Sequence, residues 1–398
     1  MWNLSKQAKD QFLKINLLPI HESDEEWEIV LREAKEEGED IRTRLKGELD
    51  EVKRELLEII PSRFHRYVED GSLNQPTLPT EVREDYLNWI RDGEKDFEKV
   101  LDAAAAETEK AASSLPASVQ EVLSEGLHDT QIDRISRTKD TLHLFINTDG
   151  GFTTKAYIHF TFKEILSEES DAPLQVGQWF VYHELQKFDS GYALRVLFDC
   201  PDAEWTIAMK DLEAVYYYRP ASYLTLNDEE KLEETTFTDY IAQLPHDYNY
   251  WLITPDVTCK VKAFSEKIEL ENGTLALSDK EAVVSFGNMR FTYSLEEYNP
   301  ITFIYTDVFE TPYSEQEEPL PLGEVEEAAL SDDLMLQVRA WNTMYADPHT
   351  MADIINRVLW KVVVTEENEM MIHVYANHFY EAGVLTEDVI EKYRDLFE

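Results

Sequence analysis

The chain has 398 residues, 43% of them hydrophobic and 12% aromatic, and 81 acidic against 37 basic side chains give it a formal charge of -44. The apolar content is enough to bury a core and excludes a wholly disordered chain. The charge argues against direct binding to nucleic acid or to an anionic membrane, because both recruit clustered Lys and Arg. Two cysteines, Cys200 and Cys259, form neither a metal-spaced pair nor a disulfide framework, which fits a reducing cytoplasm. No basic-then-apolar leader and no apolar run of membrane-spanning length is visible, so neither a signal peptide nor a membrane span is expected.

The first part reads as helix. Ser23 with Glu26 three residues on is a capping-box signature, with acids in the first turn. Trp27, Leu31, Ala34, Gly38, Ile41, Leu45, Leu49, Val52, Leu56 and Ile59 then recur at steps of three and four. One long helix is expected, ended by Pro61. A loop over 62–79 precedes a second long helix, capped by Thr80, with Val82, Tyr86, Trp89, Gly93, Phe97, Val100 and Ala104 on one face. The two are expected to form a helical hairpin over 1–126, closed by a short helix at 118–124.

The period then switches to two. Leu142, Leu144 and Ile146 alternate with more polar residues, as do Ile158, Phe160 and Phe162 beyond Asp149-Gly150-Gly151, which spells a β-hairpin. Strands at 179–185, 192–198 and 204–209 extend it to an antiparallel meander over 127–220, with one face covered by helix. A second β-rich segment over 221–310 has strands at 257–264, 268–270, 282–286, 290–294 and 301–309. A linker at 311–323 leads to a four-helix module over 324–398. Its helices are capped by Ser331, opened by Pro348, capped by Thr365, and capped by Thr386 with Tyr393 and Phe397 on its face. The expected class is α+β: N-terminal helical hairpin, antiparallel β-rich middle in two segments, C-terminal helical module.

Chemistry is sparse. Gly-x-Ser-x-Gly, Gly-x-Gly-x-x-Gly, Gly-Lys-Ser/Thr and His-Glu-x-x-His are all absent, so no catalytic or cofactor-binding residue is assigned and no cofactor is expected. His128-Asp129 resembles the dyad of metal-dependent phosphohydrolases but lacks their further ligands, so a structural turn is expected there, together with Gly150 and Gly151. His143 and His159 share a sheet face and stand opposed if the turn centres on Gly151. With His183 from another strand they are the candidate metal ligands, since zinc needs three or four. His373 and His378 are five apart, about 140° around a helix, and cannot share a metal. Tyr216, Tyr217, Tyr218 and Trp251 are candidate interface aromatics, or else pack the two β segments together.

Several segments in fixed order carry a resemblance: Phe64-His65, Asp70-Gly71-Ser72-Leu73-Asn74, Leu127-His128-Asp129, Asp149-Gly150-Gly151-Phe152, Val181-Tyr182-His183-Glu184 and Val196-Leu197-Phe198-Asp199-Cys200-Pro201. Over about 1–220 the chain resembles the bacterial family called domain of unknown function 4085. The resemblance implies a cytoplasmic bacterial protein and carries over no catalytic residue. The expected function is non-catalytic protein–protein interaction with a basic protein partner, attracted by charge. The alternatives are a metal-dependent hydrolase using the sheet-face histidines, and a nucleic-acid charge mimic.

Overall fold

The structure, a computed structural model, describes residues 2–265, 267–312, 318–331, 333–365 and 368–394. Residues 313–317 of the expected linker and Phe397 of the expected last helix lie outside the described residues. The chain divides into two compact units. One comprises Met1–Arg219, Asn249–Leu295 and Phe303–Asp307; the other comprises Pro220–Tyr248, Glu296–Thr302 and Val308–Glu398. Helices lead, antiparallel strands occupy the middle and helices follow, so the class is α+β.

Where one helix was expected over 24–60, two form: α2 (Asp24–Glu37) and α3 (Ile41–Ile59). Gly38 takes a left-handed φ of 73°, and its N–H donates back to the Ala34 carbonyl. Asp40 then caps α3, accepting from the Thr43 N–H at 3.4 Å. Trp27 and Ala34 of α2 meet Ile41 and Leu45 of α3 in one cluster. The apolar spacing therefore runs on through the break and does not report it. An additional helix, α1 (Lys6–Ile15), is capped by Ser5 and packs against both α3 and α5 (Thr80–Ala112). Gly93 makes the second contact feasible, since a Cβ there would sit 2.6 Å from Ile15 Cδ1. Between α3 and α5, the short α4 (His65–Glu69) places Tyr67 and Val68 in the core shared by Leu49, Leu56 and Tyr86.

The expected meander closes on itself. Strands β1 (Gln131–Arg137), β2 (Thr141–Asn147), β3 (Tyr157–Ser170), β4 (Trp179–Phe188), β5 (Gly191–Asp199) and β6 (Ala203–Tyr217) form a barrel in the order β1-β2-β3-β6-β5-β4. Inward side chains such as Leu144, Phe160, Phe162, Phe198 and Trp205 fill it. The β1–β4 seam is short, with Gln131 paired to Trp179. Helix α6 (Ala117–Glu125) and the end of α5 add Ala111, Ala112, Val119, Val122 and Leu123 to the same core.

The second β segment is one antiparallel sheet in the order β12-β11-β10-β9-β8-β7-β13. Its strands are β7 (Tyr250–Ile253), β8 (Thr258–Ala263), β9 (Ile268–Leu270), β10 (Gly273–Leu277), β11 (Glu281–Phe286), β12 (Met289–Ser294) and β13 (Ile304–Thr306). The strand expected over 301–309 is cut to three residues, because Pro300–Phe303 form a 3-10 turn.

The second unit is helical. Helices α7 (Ala221–Asp228), α8 (Phe237–Ile241) and α9 (Val325–Ala329) precede α10 (Leu334–Ala346), α11 (Pro348–Lys361), α12 (Glu369–Glu381) and α13 (Glu387–Lys392). Trp341, Ile355, Leu359, Ile372 and Phe379 centre its core. Asp333, rather than Ser331, caps α10 by accepting from Met335 and Leu336 N–H. Among the described residues no helix is long and apolar enough to cross a membrane.

Candidate functional site

A cleft of about 920 Å³ lies between α5, α6 and β4. Its α5 wall is Leu101, Ala104, Ala105, Thr108, Glu109 and Ala112, residues that recur at helical spacing on one face. Alanine there fills little volume, so the space between α5 and α6 stays open. Leu123 and Leu127 line it from the α6 side, and Val181, Tyr182 and His183 from β4. Glu109, Glu121 and Glu125 are exposed at its rim, and among the described residues no Lys or Arg lines it.

Two of these carboxylates are already engaged. Lys155 is fully buried; its ammonium bonds Glu125, lies 3.4 Å from Glu121 and sits 4.8 Å from the centroid of the Tyr216 ring. Tyr216 donates to Glu121 at 2.6 Å, and Thr153 and Thr154 donate to Glu125. Partial burial pushes the Glu125 carboxyl up, but the bonds from Lys155, Thr153 and Thr154 outweigh it and hold it down at about 2. Glu109 makes no ion pair among the described residues.

Consecutive β4 residues point opposite ways. His183 stands opposite Val196 of β5, half-buried and facing the cleft. Its surroundings push the imidazole down to about 4, against a backbone hydrogen bond with Leu123, so the ring is neutral at neutral pH. Glu184 is fully buried on the other face. It accepts from the Asn3 and Leu4 N–H groups at 2.9 and 2.8 Å, from Asn3 Nδ2 at 3.1 Å and from Gln186 Nε2 at 2.6 Å. Arg195 donates to the Leu4 carbonyl at 3.1 Å and lies over the Trp2 ring. These bonds strap residues 2–4 to the barrel, and Leu4 lines one end of the cleft.

The candidates named from sequence separate into three places. His143 and His159 do come together, with Nδ1 and Nε2 3.0 Å apart, but they are not opposed. The register pairs His143 with Thr161 and His159 with Phe145, because the turn centres one residue beyond Gly151. His183 stands apart from them in the cleft, and among the described residues no group of three His, Cys, Asp or Glu side chains is placed to hold a metal. Cys200 is exposed, Cys259 is buried, and they are not bonded.

His128 and Asp129 form a turn, with Nδ1 3.0 Å from Oδ2, and the Asp129 N–H donates to the Phe180 carbonyl. Gly150 and Gly151 pack on that turn: a Cβ on Gly151 would lie 2.7 Å from Thr130 Cγ2 and 3.0 Å from the His128 carbonyl. Tyr217 is buried with Phe145, Tyr157, Ile253 and Tyr305, and Trp251 packs against it. Tyr218 is buried, bonding Thr306 through the backbone, and Tyr216 is half-buried beside Lys155. Glu109 and Lys155 were not singled out from sequence, and Glu184 entered there only as part of the Val181-Tyr182-His183-Glu184 segment, with no role assigned. The one available pointer to the cleft is the run of four alanines at 103–106.

A family model described as Protein of unknown function (DUF4085) matches residues 6–209, just over half of the chain. The chain belongs to that family. The matched stretch contains α5, α6 and the whole barrel up to Met209, so within this chain the cleft is built, Leu4 apart, from the family region. No curated protein and no solved structure matches the chain.

Proposed function

We propose that the protein is a cytoplasmic, non-catalytic binding protein, and that an amphipathic helix of a basic protein partner docks in the cleft between α5, α6 and β4. The observation that supports this is the cleft's composition: an aliphatic floor, Glu109 at the rim with Glu121 and Glu125 beside it, and among the described residues no ion pair on Glu109 and no lining Lys or Arg. Small residues along α5 let another helix approach closely, as helix-in-groove recognition requires. The overall charge of -44 adds long-range attraction for a basic partner.

The test is a dye-labelled Lys/Leu amphipathic peptide titrated against wild type and against Ala105→Trp, which fills the groove. Wild type is expected to bind with an affinity that weakens as salt is raised. Ala105→Trp is expected to abolish binding, and Glu109→Lys to weaken it. Binding that survives Ala105→Trp, or purified protein that retains a small apolar ligand only when Ala105 is intact, overturns the reading.

A further inference from the structure

We infer that the docked helix carries a glutamine or asparagine at its centre, whose carboxamide pairs with the main-chain N–H and C=O of His183 on an uncovered stretch of the β4 edge. This rests on the docking site proposed above and names the residue type that site selects.

The edge follows from strand register. Phe188 pairs with Gly191 across the two-residue turn Asp189-Ser190, so those two exchange hydrogen bonds, and every second residue of β4 back to Tyr182 does the same with β5. The main-chain groups of His183, Leu185 and Lys187 therefore point away from β5. The Leu185 N–H agrees with that phase, for it donates to Thr108 Oγ1 of α5 at 2.9 Å. Farther along the same edge, the Phe180 N–H donates to the Thr130 carbonyl at 2.8 Å and the Phe180 carbonyl accepts from the Asp129 N–H at 2.9 Å. His183 falls between these two covered positions. Among the described residues no hydrogen bond from outside the β4–β5 ladder reaches its main-chain N–H or C=O.

Helix α5 accounts for the gap. It runs parallel to β4, with the Phe97 and Tyr182 rings 5.4 Å apart towards one end and Ser114 accepting from Lys187 at the other. One turn back from Thr108 is Ala104, about 6 Å along the helix, and two residues back from Leu185 is His183, about 7 Å along the strand. Ala104 thus holds the place from which a hydroxyl would cap the His183 N–H, and it has none. Both residues line the cleft. The occupant decides what can pair there. A docked helix has its own main-chain groups tied up in i to i−4 bonds and offers only side chains. Lys and Arg bring donors alone, and a carboxylate brings acceptors alone. An apolar anchor would displace water and leave both groups unpaired. A carboxamide sets one donor beside one acceptor, as a residue of a pairing strand does. The division of labour is then an amide below and cationic residues above, at the rim.

Two peptides test this, a Lys-rich amphipathic helix with one central glutamine and the same helix with methionine there, which keeps the length and loses the amide. Each is titrated against wild type and against Ala104→Thr, whose hydroxyl would take the His183 N–H as Thr108 takes that of Leu185. The methionine peptide is expected to bind wild type about tenfold more weakly than the glutamine peptide, and Ala104→Thr is expected to bind the two alike. In wild type the glutamine peptide, and not the methionine one, is expected to move the His183 amide proton resonance downfield. That measurement carries the test if Ala104→Thr does not fold. Equal binding of both peptides to wild type, lost in Ala105→Trp, overturns the anchor and leaves the docking site standing. Failure of both peptides to bind wild type overturns both.

Discussion

His143 and His159 share a hydrogen bond on the outer face of the barrel without standing opposite one another. The pair is diagonal, with Thr161 Oγ1 3.3 and 3.5 Å from the two ring nitrogens. His159 also stacks on Phe145 at 4.0 Å, and the Arg134 guanidinium lies 3.8 Å from the centroid of the same ring. Burial, the neighbouring His143 and Arg134 together push His159 down to about 4.

A pH dependence follows. The folded protein resists protonating His159 while the unfolded chain does not. The associated stability is therefore complete above about pH 6.5 and is lost as pH falls toward about 4. The slope is at most about 1.4 kcal/mol per pH unit for this group, and His183 adds a second such window. Urea denaturation across that range should show a shallower decline for His159→Phe than for wild type. Identical slopes would refute the assignment.

Glu184→Ala should cost about 2–4 kcal/mol, because it leaves the Asn3 and Leu4 N–H groups without their buried acceptor. Hydrogen exchange distinguishes this from general loosening. Amide protection should fall at residues 3 and 4 far more than in β5 and β6.

Lys155→Met keeps the buried stem and removes the charge. Glu125 and Glu121 keep side-chain exposures of 29% and 46%, so both can rehydrate, and the expected loss is about 2 kcal/mol rather than that of a wholly buried pair. The Glu125 carboxyl should also climb from about 2 toward the ordinary range. In wild type its contribution is present above about pH 4.5 and lost toward pH 2; the variant should lack that window. Carboxyl ¹³C titration reads it directly, and an unmoved Glu125 would contradict the account.

Gly151→Ala should destabilise by about 1–3 kcal/mol, since the new methyl meets a backbone carbonyl as well as a side chain. Gly93→Ala is the contrast. Its methyl meets chiefly the flexible end of Ile15, and helix propensity returns up to about 1 kcal/mol, so the net change should be small. A thermal melt of each variant settles the comparison.

Period and turn chemistry revealed α5, α6, the four C-terminal helices α10 to α13, most strands and the α+β order, because those signals are local; the short helices α1, α4, α7, α8 and α9 were not read. Barrel closure was not legible: Gln131 and Trp179 meet through a register that no local pattern encodes. The break at Gly38 was hidden because one apolar cluster spans it. The same limit governed the histidines. Their shared face was readable from alternation, but a one-residue shift of the turn changed which residue faces which. The cleft was least legible, since it is defined by side chains that are small and by Glu109, Glu121 and Glu125, three acids among 81 acidic residues in the chain.

The strap has a temporal side. Asn3 is made 181 residues before Glu184, the group that holds it. During synthesis the segment therefore waits, undocked, until β4 has emerged and paired with β5. Lys6 and Lys9 extend the delay, for they bond Asp202, just beyond β5. Contacts of such long sequence separation slow folding by their loop-closure entropy. Residues 3–9 thus precede in the chain every strand that holds them, and the barrel surface they cover stays open until β4 and β5 are in place.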